Sequence, residues 1–427
     1  MNSRATTQWH NPIIAPVLAM AVVLVVVWWA FPEGLTLWRS IAIVTAWAGS
    51  VLLVVNLILM VREPHLAHLL GGLESAYLWH HRSGMMAYLL LLIHPLALAL
   101  DGWIEAPRLA WEILAPWMQS WPVWLGWVAL LFLMLGLSTT FALRLPYRTW
   151  RGFHFLLGFG VVLGLIHIYV LLGEVAFNLI APVLIGLAML ALGWRFIASD
   201  LGVAAYPYHV TRVTHQSTDM IEVSLQPSAT ALAVSSGQFV LVSFGDGAHF
   251  RGCGEYHPFT VSNVAVDGEI KLAIKALGPC SQHIQNIEPG VLVRLQGPFG
   301  TFLTGTTSTP QLWVAGGIGI TPFIAVLREN LCTQPTTLIY LFRTKADAAF
   351  LSELATRANA DPLFELCAVE TGKENVDFLS LLQQINQLAQ REVNICGPVP
   401  MVNALLPHLR QQGVNPDAIH FERFDFR

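Results

Sequence analysis

Four histidines stand where the chain is otherwise apolar enough to cross a bilayer. Residues 79–100 read WHHRSGMMAYLLLLIHPLALAL, with His80 and His81 near one end and His94 deep inside. Residues 150–172 repeat the arrangement with His154 and His167. An imidazole in hydrocarbon is costly without a partner, and ionisable residues inside membrane spans usually mark function. Two helices, each offering one histidine low and one high, suit two stacked b-type haems with histidine on both axial sides of each iron.

Helix geometry constrains the choice. His80 and His94 are 14 positions apart (94 − 80), about 21 Å of rise and within about 40° of one face. His81 to His94 is a step of 13 and misses that face by about 140°. The doublet leaves both open, with His80 favoured. His154 to His167 is also a step of 13, with Gly158, Gly160 and Gly164 between them. Those glycines would permit a distorted helix or a close haem approach.

A second set of candidate residues lies further on. The tetrapeptide His257-Pro258-Phe259-Thr260 ends a strand, where Phe259 can lie on a flat ring and Thr260 can hydrogen-bond a ring nitrogen. Lys275, Gly278 and Ser281 offer charge, backbone and hydroxyl to a phosphate. Gly316, Gly317, Gly319, Thr321 and Pro322 form the turn GGIGITP, bare backbone at a helix start, where N–H groups can receive a pyrophosphate. Cys396, Gly397 and Pro398 form a second strand-to-helix turn, whose thiol can face a nicotinamide or simply fill core. Arg343 and Lys345 follow a strand end, where the 2′-phosphate of NADPH would sit, so NADPH is expected over NADH.

These residues need elements to hold them. The chain is 55% hydrophobic and only 12% charged, the composition of a membrane protein. Long apolar runs concentrate in residues 1–200, and six spans are expected at about 13–31, 38–61, 79–100, 123–143, 153–172 and 175–197, each near the ~20 residues a crossing needs. Arg62, Arg82, Arg144, Arg148, Arg151 and Arg195 mark one side, while Glu33, Asp101, Glu105, Glu112 and Glu174 mark the other. By the positive-inside rule both termini are cytoplasmic, which puts His80 and His154 at the inner level and His94 and His167 at the outer. The tryptophan- and proline-rich stretch 103–127 reads as an interfacial belt.

From residue 205 the pattern changes to short alternating runs, predicting an antiparallel β-barrel over 205–305. After about 306 strands alternate with helices, predicting a doubly wound α/β domain to residue 427. The net charge of −4 gives no reason to expect nucleic acid. All five cysteines lie in the second half without C-x-x-C spacing, which argues against an iron–sulfur cluster, a zinc site or a disulfide framework and for a reducing, cytosolic setting. Residues 1–12 lack the pattern of a cleaved leader.

Taken together, these motifs resemble the NADPH oxidase / ferric reductase superfamily, of prokaryotic type. HPFTVSN resembles its flavin motif, IKALGPCS its FAD phosphate segment with Pro279-Cys280 in place of the usual acidic-aromatic pair, and GGIGITP and CGPVPM its two nicotinamide-nucleotide motifs. YRTWRGFH resembles the entry to its fifth helix, and FERFDFR its C-terminal aromatic. Family members usually place histidine directly before arginine, which points to His81, whereas the distances to Gly84 and His94 point to His80. The resemblance implies a six-helix dihaem membrane domain, an FAD barrel and an NAD(P)H domain. It also implies that Thr260, Cys396 and Phe424 act in hydride transfer, with Phe424, or Phe426 in second place, covering the flavin. Electrons would pass from NADPH through FAD and two haems to oxygen or a ferric chelate across a bacterial inner membrane, or to a periplasmic protein, with no obligatory subunit.

Overall fold

The computed structural model describes residues 14–29, 31–141, 145–173, 179–304, 308–372 and 376–423. The chain divides into two compact units, Met1–Leu201 and Gly202–Arg427.

The first unit is helical because long runs of Leu, Val, Ile and Ala have no other way to satisfy their backbone in lipid. Its helices are α1 (Ile14–Trp29), α2 (Leu37–Leu59), α3 (Pro64–Leu69), α4 (Leu73–Glu105), α5 (Pro107–Leu114), α6 (Trp121–Phe141), α7 (Tyr147–Leu172) and α8 (Ile180–Gly193), the last prolonged by a π-helical turn, Trp194–Asp200. Five are long and apolar enough to cross a membrane. Among the described residues α1 has 16, short of the ~20 of a full crossing, so the expected six-span count is approximate. The expected belt at 103–127 contains α5 and a 3-10 turn, with Trp103, Trp111, Trp117 and Trp121 exposed.

Small residues let these helices approach. A Cβ on Gly49 of α2 would sit 2.7 Å from Leu91 of α4, and one on Gly136 of α6 would collide with Leu157 of α7. Such contacts drive association where lipid removes the hydrophobic term. They pair α4 with α2 and α7 with α6.

The second unit begins with a closed antiparallel barrel. Its strands are β1 (Tyr206–Ser217), β2 (Met220–Pro227), β3 (Phe239–Phe244), β4 (His257–Val264), β5 (Ile270–Lys275) and β6 (Leu292–Phe299), in the order β1-β2-β5-β4-β3-β6. Alternate residues point inward, so Val210, Val223, Val242, Val261, Leu272 and Leu295 fill one core. Closure removes the exposed strand edges. A short helix, α9 (Pro279–Ile284), follows β5.

Next comes a parallel sheet of β7 (Gln311–Gly316), β8 (Thr336–Phe342), β9 (Phe364–Glu370), β10 (Glu392–Gly397) and β11 (Ile419–Arg423), ordered β11-β10-β7-β8-β9. It is interleaved with α10 (Thr321–Glu329), α11 (Leu351–Ala360), α12 (Phe378–Gln383) and α13 (Val399–Gln411). Phe323, Leu338, Tyr340 and Leu354 pack one face, and Val314, Ile395, Val402 and Leu405 the other. Both faces are covered, as in a doubly wound fold. The chain runs one way from β7 through β8 to β9 and the other way from β7 to β10 and β11, so the switch point lies between β7 and β10. The sequence pattern did not predict β11, which pairs with β10 from Val393↔Ile419 to Gly397↔Arg423.

Arg328 of α10 joins barrel to sheet. It donates to Glu222 at 2.6 Å, to the carbonyl of Ser262 at 3.1 Å and to Glu353 at 2.7 Å. Burial works against its charge, but hydrogen bonds to Glu353 and Glu222 outweigh it and push its pKa up.

Candidate functional site

In the membrane unit, α4 carries His80 and His94, and α7 carries His154 and His167. The rings of His80 and His154 are 5.9 Å apart, centre to centre. Two imidazoles sharing one metal from opposite sides, with bonds of about 2 Å, would have ring centres roughly 6 Å apart. The pair therefore fits an iron held between them. His81 lies 5.7 Å from His80, edge-on, and is exposed.

Three of the four rings are held in the same way. Nδ1 of His80 meets the carbonyl of Asn56 at 3.2 Å, that of His94 the carbonyl of Ala42 at 2.9 Å, and that of His167 the carbonyl of Pro122 at 2.8 Å. A carbonyl can only accept, so each Nδ1 carries the proton and each Nε2 keeps its lone pair. This is the outer-shell arrangement that orients metal-ligating histidines. His154 is held instead by stacking on Trp150, 4.9 Å away and inclined by 27°, and its buried Nδ1 has no hydrogen-bond partner among the described residues.

Sequence reasoning missed the residues that do the holding. Asn56 is buried in α2 and donates to the His80 carbonyl at 2.6 Å and to Ser83 at 2.9 Å. Gly84 leaves it room, since a Cβ there would lie 3.1 Å from the amide nitrogen. Gly126 does the same for His167, whose ring atoms would be 2.9 Å from an added Cβ. A buried amide in an apolar span was the available signal. Of the two roles expected for the α7 glycines, a break in the helix is absent. The helix runs unbroken from Tyr147 to Leu172, and its glycines serve helix packing. Gly158 accommodates Leu192, Gly160 lies against Phe132, and Gly164 faces Ala129.

In the second unit, β4 begins at His257 and presents Pro258, Phe259 and Thr260 in turn. Thr260 is buried, and its hydroxyl has no hydrogen-bond partner among the described residues. An orphaned buried hydroxyl costs free energy unless a bound group satisfies it, so this position fits a hydrogen bond to a flavin ring. Phe259 beside it is half-buried. Burial pushes the pKa of His257 down, with Glu255 opposing, which keeps the imidazole neutral at neutral pH.

The two glycine turns interlock at the switch point, where open α/β sheets bind ligands. A Cβ on Gly316 would sit 2.6 Å from the sulfur of Met401, one on Gly319 would collide with the carbonyl of Cys396, and one on Gly397 would sit 2.6 Å from Met401 Cε. Gly317 adopts φ +55°, and Lys275 Nζ comes within 3.7 Å of where its Cβ would be. Barrel and nucleotide turn thus meet at Lys275, which also pairs with Asp219 at 3.3 Å. Thr321 donates to the Ile318 carbonyl at 2.7 Å, and Pro322 is buried in the first turn of α10.

Other predicted residues are engaged differently. Ser281 accepts from the backbone of Leu277 at 3.0 Å and of Gly278 at 2.9 Å, closing the start of α9. Cys396 is fully buried with Ala315 and Ile320, and Pro398 caps α13. Arg343 and Lys345 are exposed just beyond β8. Phe424 and Phe426 lie outside the described residues.

Comparison with known proteins adds three family matches in chain order. Residues 45–165 match "Ferric reductase like transmembrane component", residues 205–299 "FAD-binding domain", and residues 313–406 "Oxidoreductase NAD-binding domain". The chain is 29% identical to the toluate 1,2-dioxygenase electron transfer component of Pseudomonas putida over 52% of this chain and 68% of that protein. It is 31% identical to an NADPH oxidoreductase of Mycobacterium tuberculosis over 36% of this chain and 43% of that one. Among solved structures, the flavohem-like FAD/NAD-binding domain of nitric oxide dioxygenase from Vibrio cholerae matches with TM-score 0.46 and 19% identity, over 51% of this chain and 98% of that one.

Proposed function

The chain is a membrane NAD(P)H-dependent oxidoreductase of the ferric reductase/NADPH oxidase type, and we propose that it moves electrons from NADPH across the membrane to oxygen, forming superoxide. Bound FAD would split the hydride pair into single electrons, and two b-type haems would carry these across the bilayer. The observation that carries this reading is the 5.9 Å pairing of His80 with His154, together with the Nδ1 anchors at His80, His94 and His167.

Each residue then has a task. His80 and His154 would hold the inner iron and His94 and His167 the outer one. The anchored Nδ1–H of His80 and its exposed neighbour favour His80 over His81. Thr260 would donate to a flavin ring nitrogen, Phe259 would lie on the ring, and His257 and Pro258 would set the start of that strand. Lys275, Gly278 and Ser281 would border its phosphates. Gly316, Gly317, Gly319, Thr321 and Pro322 would receive the nucleotide pyrophosphate, with Arg343 and Lys345 reaching the 2′-phosphate. Cys396, Gly397 and Pro398 would close the nicotinamide side, and Phe424, with Phe426 as the alternative, would cover the flavin. The three parts would span about 1–200, 205–305 and 306–427.

The arginine distribution supports a bacterial inner-membrane protein with both termini and the reductase domains in the cytoplasm. Two histidines per iron leave no open position, so the acceptor would be reduced at the haem edge. Acidic outer positions disfavour anionic chelates, which favours oxygen.

Haem stoichiometry and product analysis test this. Pyridine haemochrome assay should find two haems per chain, and one or none would refute the four-ligand arrangement. NADPH oxidation by the purified protein should yield superoxide. Ferrous iron without superoxide would make the protein a ferric-chelate reductase, and activity only with an added protein fraction would make it a conduit to a periplasmic partner.

A further inference from the structure

We propose that Arg328 is a positioning residue for hydride transfer, clamping the strand that carries Phe259 and Thr260 to the helix that starts at the nucleotide turn. This rests on the flavin and nucleotide roles proposed above for those two segments. A hydride leaves NADPH with its electron pair, oxidising it to NADP⁺, and reduces the flavin. It moves well only between atoms held about 3–3.5 Å apart. The flavin residues lie on the barrel and the nucleotide turns on the sheet, and two such domains keep a fixed separation only where their interface fastens them.

Helix α10 is where the two meet. Thr321 starts it at the end of the GGIGITP turn, and Arg328 stands in its last turn, seven positions on (328 − 321), about 10 Å along the axis. The helix packs directly on β4. Nη1 of Arg328 donates to Glu222 of β2 at 2.6 Å and to the Ser262 carbonyl of β4 at 3.1 Å. Ser262 is two residues beyond Thr260 and fully buried, and its hydroxyl donates to the same Glu222 oxygen at 2.6 Å. Another edge of the guanidinium holds Glu353 of α11 through two bonds, from Nε at 2.7 Å and from Nη2 at 2.8 Å. A second tie runs from the buried Ser236, just before β3, to the Ala325 carbonyl of α10 at 3.2 Å.

Stability alone is a weak reason for this arrangement. Replacing a buried ion pair with apolar side chains of similar volume is often neutral or stabilising, whereas the directional bonds of a guanidinium to carboxylates fix geometry. Glu222 is buried, and its other oxygen takes the Gln216 amide at 3.2 Å. The carboxylate is therefore held by Gln216, Ser262 and Arg328 together and cannot swing to follow the arginine. A planar fork ties β2, β4 and α11 to one point of α10, a task for which a lysine ammonium lacks the fixed donors. The bond to Glu222 crosses from sheet domain to barrel, and the bonds to Glu353 stay within the sheet domain, so the two halves of the clamp can be cut separately.

The test uses the full-length protein in detergent with its haem and flavin, mixed with NADPH in anaerobic stopped flow. Removing Arg328 alone would strand Glu222 as a buried charge, so the variant is Arg328→Met with Glu222→Gln. Flavin reduction should slow about tenfold to 100-fold, the effect of a misplacement of about 1 Å, while Kd for NADP⁺ and flavin content stay within about twofold of wild type. The long-wavelength charge-transfer absorbance of the nicotinamide–flavin complex should diminish with it. Glu353→Ala cuts only the half-exposed, sheet-side pair and should leave the rate within about twofold. Unchanged reduction in the double variant, an equal loss of nucleotide or flavin binding, or a Glu353→Ala effect as large as the double variant's would each overturn the proposal. Where the double variant fails to fold, Arg328→Lys decides: reduction should slow at least about threefold with binding retained, because an ammonium cannot reproduce the fork, and a wild-type rate would overturn the clamp. A wild-type protein that binds NADPH without reducing its flavin would refute the flavin and nucleotide roles themselves and the clamp with them; a normal wild type with an unaffected variant would refute the clamp alone.

Discussion

The membrane histidines and the flavin strand are positioned by opposite means. In the first unit each candidate ligand belongs to a long helix, and a neighbouring helix pins three of the four through a single backbone carbonyl: Asn56 and Ala42 of α2, and Pro122 of α6. In the second unit the candidate residues sit on turns and strand ends, and backbone closeness sets their places. Gly316, Gly319 and Gly397 have no room for a side chain, and Thr260 keeps a buried hydroxyl in reserve. Lipid explains part of the difference. A span has to satisfy its backbone internally, so its carbonyls become available as anchors only near helix ends, at prolines or where an imidazole competes for them. A doubly wound sheet instead exposes loop backbone at its carboxyl ends, where a nucleotide can use it.

Substitutions should separate the two halves. The largest effect is expected from His94→Ala or His167→Ala, which should remove about half the haem by pyridine haemochrome and leave NADPH-to-flavin reduction in stopped flow unchanged. Asn56→Leu should come next. The backbone carbonyl that receives His80 Nδ1–H remains, but the side-chain amide's hydrogen bonds to the His80 carbonyl and to Ser83 are lost, so haem retained after dialysis should fall at the His80 level only. Thr260→Ala should keep full haem content and slow flavin reduction by about twofold to tenfold, the equivalent of one hydrogen bond. Arg343→Ala with Lys345→Ala should raise KM for NADPH a few-fold and leave NADH unchanged, since exposed charges contribute only about 1 kcal/mol or less. Equal loss of haem and flavin function in any one of these variants would break the division of labour between the units.

Much of this was legible in the residues. All six barrel strands and four sheet strands fall on the alternating or apolar runs that predicted them, because period-two burial in a strand is written directly into side-chain type. His80 and His94 could be placed on one face because a helix repeats at a known angle. The edge strand β11 was not legible: IHFER is short, carries charge and forms only because β10 offers it an edge. The packing of the α7 glycines against Leu192, Phe132 and Ala129 was not legible, because it depends on which helices become neighbours.

Residue types and their order along the chain thus determined the membrane half, the barrel, the nucleotide sheet and the list of candidate ligands, since hydropathy and periodicity are local properties. Tertiary structure alone decided which carbonyls orient His80, His94 and His167, that the two glycine turns interlock, and that Cys253 and Cys280 meet around His257. Those contacts join positions tens of residues apart, and they depend on a topology that no local window contains.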